Sequence, residues 1–408
     1  MKNRLYQLLH DRSLPEGVRM FAWVRAIRWI GWGLGESLLP VFILMFSKTF
    51  AEMGLFSATV DIASLLSLPL IGTWADRLPA KRLVAWSLLI YPLVGLSYFL
   101  AGAMGLAIFV VLARVVNGFT WELENIGIAT YYRRSTPSQK MAFAFGYLDT
   151  WSHVAWIGAS LVGMVLILFL PIHYLLLGIA PFALIAYLLL RKVPEDKVTA
   201  TVSKPPSFWT SYGQTLVEWR TWNTRLWLLS LLIIFGSLIN ALMYFFVPID
   251  AYLAGANLPM IILITILGAL PALFGSKLGR LTDPRDKNWM ISLGLGATAV
   301  VSTGLALFPQ YGFKLLAVIL MGIILELFYV AESSLITTLG PAETYGRRGG
   351  AFESINVLGD MVAPIIIGVA LDMMGFANLS YVIAFLAVIL TVVYWFMKEE
   401  SPQIRRLS

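Results

Sequence analysis

The sequence contains no cysteine, and only 3 of its 408 residues are histidine. Disulfide bonds, thiol catalysis and cysteine-based metal sites are therefore excluded. The three histidines, His10, His153 and His173, are too scattered along the chain to suggest a metal cluster, and no cofactor is expected. Charge is also scarce, because charged residues make up 13% of the chain, whereas a soluble domain has about a quarter.

Apolar residues are correspondingly abundant: they form 59% of the chain, and the mean hydropathy is +0.78. A globule cannot bury so much apolar surface, so the pattern indicates a lipid environment. At about 20 residues per span, the chain has room for about a dozen transmembrane helices. The first long apolar stretch has full span length and no small-residue cleavage site after it, so we expect it to be retained as the first helix.

Hydropathy and helix breakers predict an all-α integral membrane protein with twelve transmembrane helices in two six-helix halves, 1–190 and 226–408. The predicted spans are 20–46, 52–73, 81–102, 106–131, 141–169, 171–190, 226–253, 258–277, 289–308, 313–338, 350–373 and 377–397. The longest connection, 191–225, is the predicted linker. Its apolar residues recur at helical spacing, which fits either a short interfacial helix or a partly ordered linker. These residues are Phe208, Trp209, Tyr212, Leu216 and Trp219.

Basic residues set the expected orientation. If both termini are cytoplasmic, most Lys and Arg residues fall on cytoplasmic ends or loops, and only Lys48 and Lys314 fall on the other side. Such asymmetry predicts a multi-pass protein of the cytoplasmic membrane with both termini and the linker inside the cell. The net charge of +7 then reflects a membrane-facing surface, and no nucleic-acid partner is expected.

The chain repeats one pattern. A shift of 203 residues places Gly72 on Gly275, and the same shift superposes five further positions. Those positions are Leu70, Arg77, Leu78, Arg82 and Trp86, which fall on Leu273, Arg280, Leu281, Arg285 and Trp289. A shift of 204 places Gly118 on Gly322 and Glu122 on Glu326. The two halves therefore share a design and an orientation.

The repeated loop carries a family resemblance. The segment GTWADRLPAKR, Gly72–Arg82, resembles the loop signature of the major facilitator superfamily, with Pro79 in place of the usual glycine and Ala80 in place of a basic residue. The segment Arg114–Gly118, RVVNG, resembles a second element of that family. The resemblance extends over the whole chain and implies a transporter whose spans 1, 2, 4, 5, 7, 8, 10 and 11 line a central cavity.

The loop predicts a cytoplasmic gate. Gly72 would allow close helix approach, and Asp76 would face the positive end of a neighbouring helix. The basic residues would pair with acidic groups of the opposite half; simple membrane anchoring explains the basic residues alone, without Asp76 or Gly72. The predicted gate residues are Gly72, Asp76, Arg77, Lys81, Arg82, Gly275, Arg280 and Arg285.

Ionisable and polar groups inside spans are costly, which makes them candidates for a proton-coupling or cavity role. These residues are Arg114, Asp61, Glu36, Asp149, His153, Glu122, Glu326, Asn356 and Asp360. For Arg114, the candidate partners are Asp61, Glu36 and Asp149. The alternative is a buried pair that only holds helices together, and it applies most to Glu122, Glu124, Glu332, Asp250 and Asp372.

The sequence therefore predicts a secondary active transporter of a small organic solute that works by alternating access and is coupled to protons, and not an enzyme. An excess of embedded carboxylates favours a cationic or zwitterionic solute. Aromatic residues such as Trp29 and Trp121 can stack on such a cation; the alternative is that they only pack or anchor the helices. Export is slightly favoured over import, and a monomer is expected. Two alternatives remain: a transport-inactive sensor or assembly partner, and an integral-membrane enzyme, which the short loops disfavour.

Overall fold

A computed structural model gives the fold of the chain. The structure describes residues 14–137, 140–196, 213, 217, 219–274, 287–338 and 345–398. Within these ranges the side chains at 76, 142, 225, 274, 287–288, 329–338, 345–351 and 397–398 are not described. Gly275, Arg280, Arg285 and most of the predicted interfacial helix lie outside the described residues.

The described residues form α-helices and contain no strand. The first six spans are built from α1 (Glu16–Gly33), α2 (Leu39–Leu44), α3 (Phe50–Arg77), α4 (Ala80–Met104), α5 (Ala107–Ser135), α6 (Met141–Leu166), α7 (Ile172–Leu177) and α8 (Ile179–Leu190). A 3₁₀ turn, Glu36–Leu38, joins α1 to α2 within the first span. The predicted all-α fold is confirmed, and the predicted spans agree with these helices to within several residues.

The remaining spans follow the same scheme. They are built from α9 (Thr224–Ala241), α10 (Val247–Leu253), α11 (Leu258–Ala269), α12 (Lys287–Leu307), α13 (Tyr311–Thr338) and α14 (Tyr345–Lys398). A π-helical turn, Leu242–Phe246, joins α9 to α10, and a 3₁₀ helix, Leu270–Phe274, extends α11. Gly375 has φ 75° and interrupts α14, between the predicted spans 350–373 and 377–397, because glycine tolerates a left-handed conformation.

Local sequence explains several helix boundaries. Asn223 and Asn257 precede α9 and α11, and each Oδ1 accepts a 3.0 Å hydrogen bond from a backbone N–H, of Leu226 and Met260 respectively. Asparagine is a preferred residue at this capping position. Gly105, with φ 70°, ends α4 in the left-handed conformation, as helix C-terminal glycines commonly do.

The helices have the surface of a membrane protein. Eight segments in the described part of the chain are long and apolar enough to cross a membrane. Large apolar side chains are left exposed on the outer faces; Phe169 and Phe385 are 77% and 65% exposed. Because a soluble protein rarely exposes contiguous apolar surface, lipid is the medium that suits these faces.

The chain forms two compact units. The described parts of Met1–Glu36 and Leu66–Pro206 belong to the first unit, and those of Ser37–Leu65 and Ser207–Ser408 to the second. In the first unit, α1 packs on α6 and α8, and α4 packs on α5 and α8; in the second, α14 packs on α9 and α12. The two compact units are defined by contacts between residues. The division into halves 1–190 and 226–408 is inferred from the sequence repeat and stays a prediction.

Candidate functional site

Glu36 lies where the first span breaks. Helix α1 ends at Gly33, and Glu36 opens the short 3₁₀ turn before α2. Its Oε2 accepts a 2.7 Å hydrogen bond from Nε1 of Trp156 on α6. Trp156 is only 5% exposed, so the bond fixes a carboxylate inside a membrane span.

Small residues hold α1 and α6 close together beside this bond. A Cβ on Gly33 would lie 2.5 Å from the carbonyl oxygen of Trp156, and one on Gly163 would lie 2.2 Å from that of Leu34. Oγ of Ser160 also donates a 2.9 Å hydrogen bond to the carbonyl oxygen of Gly33. Close backbone approach through small residues is the usual packing of membrane helices, and here it sets the distance between Glu36 and Trp156.

Arg114 is brought to the same region of the first unit. It is buried on α5, where it interacts with the phenol of Tyr98. Arg114 also interacts electrostatically with Glu36, as do Arg28 and His153. Of the partners predicted for Arg114, Glu36 is therefore one that the structure brings into range.

A second arginine, Arg28, forms an ion pair that the sequence did not assign. Its Nη2 lies 2.8 Å from Oε2 of Glu124 on α5, and both side chains are 1% exposed. Three aromatic rings lie under or beside the guanidinium: Trp29, Tyr91 and Trp121, at 5.4, 4.9 and 5.3 Å from their centroids. The interpretation of Glu124 as part of a buried pair agrees with this geometry.

These rings change the view of the aromatic residues. For Trp29 and Trp121 the sequence left both stacking on an organic cation and simple packing open, and in the structure both rings lie against the guanidinium of Arg28. Arg25 also lies over the ring of Trp29, at 5.5 Å. The cation that these indoles hold is therefore the protein's own.

Asp149 and His153 lie one turn apart on α6, where Asp149 is exposed and His153 is half-buried. Nδ1 of His153 lies 2.8 Å from the carbonyl oxygen of Asp149, and the imidazole ring is 5.6 Å from that of Trp29. The Asp149 side chain is exposed and forms no ion pair in the part of the chain that the structure describes. An exposed carboxylate in a span requires water or a counterion. Glu122 is half-buried on α5.

The second unit holds the other predicted residues. Oδ1 of Asp360 accepts a 2.7 Å hydrogen bond from Oγ of Ser237. Glu326 interacts electrostatically with Tyr244, whose hydroxyl donates a 2.8 Å hydrogen bond to the carbonyl oxygen of Gly268. Asp61 and Asn356 are half-buried.

Another ion pair lies in the same unit. Nζ of Lys314 is 2.6 Å from Oδ2 of Asp250, and the two side chains are 2% and 31% exposed. Lys314 lies in the first turns of α13, and Asp250 lies near the end of α10. The pair therefore joins two helix ends, which agrees with the interpretation of Asp250 as a structural partner.

The predicted gate loop is shorter than expected, because α3 continues through Gly72 to Arg77 and only Leu78 and Pro79 separate it from α4. A Cβ on Gly72 would meet nothing within 4 Å, so the expected close approach is not found among the described residues. The side chain of Asp76 is not described, and those of Arg77 and Arg82 are exposed.

Asp196, which the sequence analysis left in the linker, anchors this loop. Its carboxylate accepts hydrogen bonds from the backbone N–H groups of Ala80 and Lys81, at 3.1 and 3.3 Å, and from Nη1 of Arg134 at 2.7 Å. The ammonium of Lys81 donates to the carbonyl oxygens of Arg191 and Val193. In this structure Lys81 is thus bonded within its own unit, contrary to the expected pairing with the opposite half.

Comparison with known proteins decides the family. The family model described as Major Facilitator Superfamily matches residues 22–318 and 262–408. The chain belongs to the major facilitator superfamily. A comparison with curated protein sequences gave no significant match.

Solved structures of superfamily transporters have the same fold. A nucleoside transporter, NupG, is similar at a TM-score of 0.74 and 16% identity over 95% of this chain and 100% of that chain. The human organic anion transporter MFSD10 (TETRAN) is similar at a TM-score of 0.67 and 12% identity, over 93% of this chain and 100% of that chain. A bacterial homologue of the human lysosomal transporter Spinster is similar at a TM-score of 0.68 and 14% identity, over 93% of this chain and 94% of that chain. The likeness confirms the twelve-helix superfamily fold, and the chain is a multi-pass membrane transporter.

Proposed function

We propose that this superfamily member is a secondary active transporter that moves a small organic solute across the cytoplasmic membrane by alternating access, coupled to protons at Glu36. The observation that carries the proposal is the Glu36–Trp156 hydrogen bond within a charged cluster of the first unit. Both termini and the linker 191–225 are assigned to the cytoplasm by the distribution of basic residues.

Glu36 has the surroundings of a proton carrier. Carboxylates in membrane spans are typical of proton relays in transporters, and a carboxyl group has to gain and lose its proton during each cycle. Arg28 and Arg114 both interact electrostatically with Glu36, and Trp156 holds the carboxylate oxygen in place. Arg28 lies on α1, in the same span as Glu36, whereas Arg114 lies on α5. Arg114 is therefore the cation whose distance from Glu36 would change most as the helices move.

The charge class of the solute is inferred from the exposed carboxylate in the first unit. Asp149 offers an exposed carboxylate beside His153, which favours a cationic or zwitterionic solute. Export is the slightly favoured direction. A monomer can perform the whole cycle, because the fold contains both six-helix repeats.

The segment Gly72–Arg82 would serve as the cytoplasmic gate. Its anchoring through Asp196 and Arg134 lets it move with the ends of α4 and α5 as one piece. The second copy, Gly275–Arg285, is proposed for the same side by the repeat alone.

Arg114 provides the test of this function. A screen for thermal stabilisation of the purified protein first identifies a solute, which is then followed in proteoliposomes under an imposed pH gradient. Arg114→Ala should fold and retain solute exchange, yet lose gradient-driven accumulation, because Glu36 would then hold its proton too tightly. Arg114→Lys should restore part of it, since an ammonium lacks the planar fork of a guanidinium. Full accumulation by Arg114→Ala would refute the coupling role.

A further inference from the structure

Two opposite charges of the first unit, Arg25 on α1 and Asp149 on α6, are not used by the ion pairs described above. Arg25 is half-buried and Asp149 is exposed. Neither side chain forms an ion pair or a hydrogen bond with the residues that the structure describes. Both groups therefore keep their full capacity to bind something else.

The packing of α1 on α6 brings these two charges to the same level. The rings of Trp29 on α1 and His153 on α6 lie 5.6 Å apart. Arg25 and Asp149 each come four residues before one of these rings, so each lies on the same face of its helix one turn earlier. A contact between the rings therefore places the guanidinium and the carboxylate side by side, on neighbouring helices.

Tyr132, on α5, confirms that the two charges share one region. It interacts electrostatically with both Arg25 and Asp149. The Tyr132 side chain is completely buried, and its hydroxyl donates a 3.0 Å hydrogen bond to the carbonyl oxygen of Val18. Its hydroxyl hydrogen is thus committed to the backbone and does not serve Asp149.

Both charges lie within their helices and not at the ends. Arg25 comes more than two turns after Glu16, where α1 begins, and Asp149 comes about two turns after Met141, where α6 begins. A charge at such a depth in a membrane span is costly unless a partner or water offsets the cost. A direct ion pair between the two would do so, but the structure keeps them apart. The arrangement suits a ligand that carries both charges itself.

We propose that Arg25 and Asp149 bind the two ends of a zwitterionic solute, an amino acid or a betaine, with its carboxylate on Arg25 and its ammonium group on Asp149. The inference rests on the proposed function, and it narrows the cationic or zwitterionic solute named there to a zwitterion. The planar guanidinium matches a carboxylate with two parallel N–H donors. Arg25 already lies over the ring of Trp29, at 5.5 Å, which restricts the orientation of its fork.

The pair also selects against solutes with a single charge. A cation bound at Asp149 would place a like charge beside Arg25, and an anion bound at Arg25 would place one beside Asp149. Like charges brought together disfavour the wrong ligand. Only a solute with both charges satisfies both side chains.

Isothermal titration of the purified protein with matched compounds tests this site. The panel consists of amino acids and betaines, the amines that lack their carboxylate, and the carboxylic acids that lack their ammonium group. We expect the protein to bind zwitterions more tightly than the matched amines and acids. Arg25→Gln should raise the dissociation constant of a zwitterion about ten- to a hundredfold, as for the loss of hydrogen bonds to a charged group. The same variant should not weaken the binding of the amine.

The matched control is Arg19→Gln. Arg19 is also a half-buried arginine of α1, but it lies six positions before Arg25 and so on a different face of the helix; its loss should leave the affinity unchanged. If Arg25→Gln does not fold, Asp149→Asn replaces it, and this exposed substitution should weaken the zwitterion without weakening the acid. An unchanged affinity for the zwitterion in either folded variant would overturn the inference. Failure of every zwitterion in the panel to bind, or equal binding of a matched amine or acid, would do the same.

Transport measured in proteoliposomes separates this inference from the proposed function. Zwitterion binding that depends on Arg25, in a protein that moves none of these solutes under any gradient, would support the binding site and contradict the transport function. Gradient-driven transport of an amine, unaffected by Arg25→Gln, would support the transport function and contradict the zwitterion site.

Discussion

The two ion pairs Arg28–Glu124 and Lys314–Asp250 have similar lengths, 2.8 and 2.6 Å, but different surroundings. The first lies in the middle of α1 and α5, and both of its side chains are 1% exposed. The second lies at helix ends, and its carboxylate is 31% exposed. A buried pair is costly to break because its remaining charge has no water nearby, whereas a lysine near a helix end can extend towards water.

The difference indicates separate roles for the charges of the two units. In the first unit, Arg28 and Glu124 form an ion pair inside an aromatic shell, and Glu36 interacts electrostatically with both Arg28 and Arg114. In the second unit, the pair joins two helix ends, and Asp360 is held by a neutral hydroxyl, that of Ser237. We therefore expect stability to depend most on Arg28 and Glu124, and proton coupling to depend on their neighbours.

Glu124→Gln should have the largest effect on stability. Removing the charge leaves the guanidinium of Arg28 buried without its counterion, which typically costs about 3–5 kcal/mol. The free energy of unfolding in mixed micelles measures the loss. Replacing both partners, as Arg28→Met with Glu124→Leu, should recover most of it; a double variant as unstable as the single one would show that the aromatic shell requires the ion pair.

Gly163→Ala should have a smaller effect on the same unit. The added Cβ would meet the carbonyl oxygen of Leu34 at 2.2 Å, and forcing atoms into a packed interface costs about 1–3 kcal/mol. Gly158→Ala on the same helix is the control, because no atom of the described residues would lie within 4 Å of its Cβ. Equal unfolding free energies for the two variants would mean that the contact between α1 and α6 is not tight.

Asp250→Asn should have the smallest effect, below about 1.5 kcal/mol on the same unfolding measurement. The amide oxygen can still accept a hydrogen bond from Lys314, and the ammonium can reach the membrane surface. A loss as large as that of Glu124→Gln would remove the distinction between the two pairs.

The sequence predicted the spans well because long apolar runs bounded by charge, glycine and proline report lipid exposure directly. It also singled out Glu36 and Arg114 as candidate site residues, since a charge within an apolar run is conspicuous; their roles in transport stay a prediction. The Arg28–Glu124 pair was not assigned, because Arg28 and Glu124 lie on different helices and their meeting depends on the rotation and depth of each helix. The bond from Trp156 to Glu36 depends on the close packing of α1 and α6 in the same way.

The predicted gate shows the limit of motif reasoning. The loop signature singled out Gly72–Arg82 as a gate, which stays a prediction. The close helix approach expected at Gly72 is not found among the described residues, since none of their atoms would lie within 4 Å of an added Cβ. Asp196 went unnoticed because it lies in a stretch interpreted as linker, although its carboxylate accepts three hydrogen bonds. Capping by a residue far away in sequence leaves no local pattern. The same holds for Asp372, whose carboxylate accepts hydrogen bonds from the N–H groups of Phe50 and Ala51 at the start of α3.

The central claim is that Glu36 carries the proton that drives transport, and pH-gradient-driven solute accumulation by Glu36→Gln in proteoliposomes tests it most directly. The solute is one found by the stabilisation screen, and Asp250→Asn is the control for an embedded carboxylate outside the cluster. The account predicts that Glu36→Gln exchanges solute at nearly the normal rate but does not accumulate it, whereas the control does both. Accumulation by Glu36→Gln at the level of the unmodified protein would contradict the account.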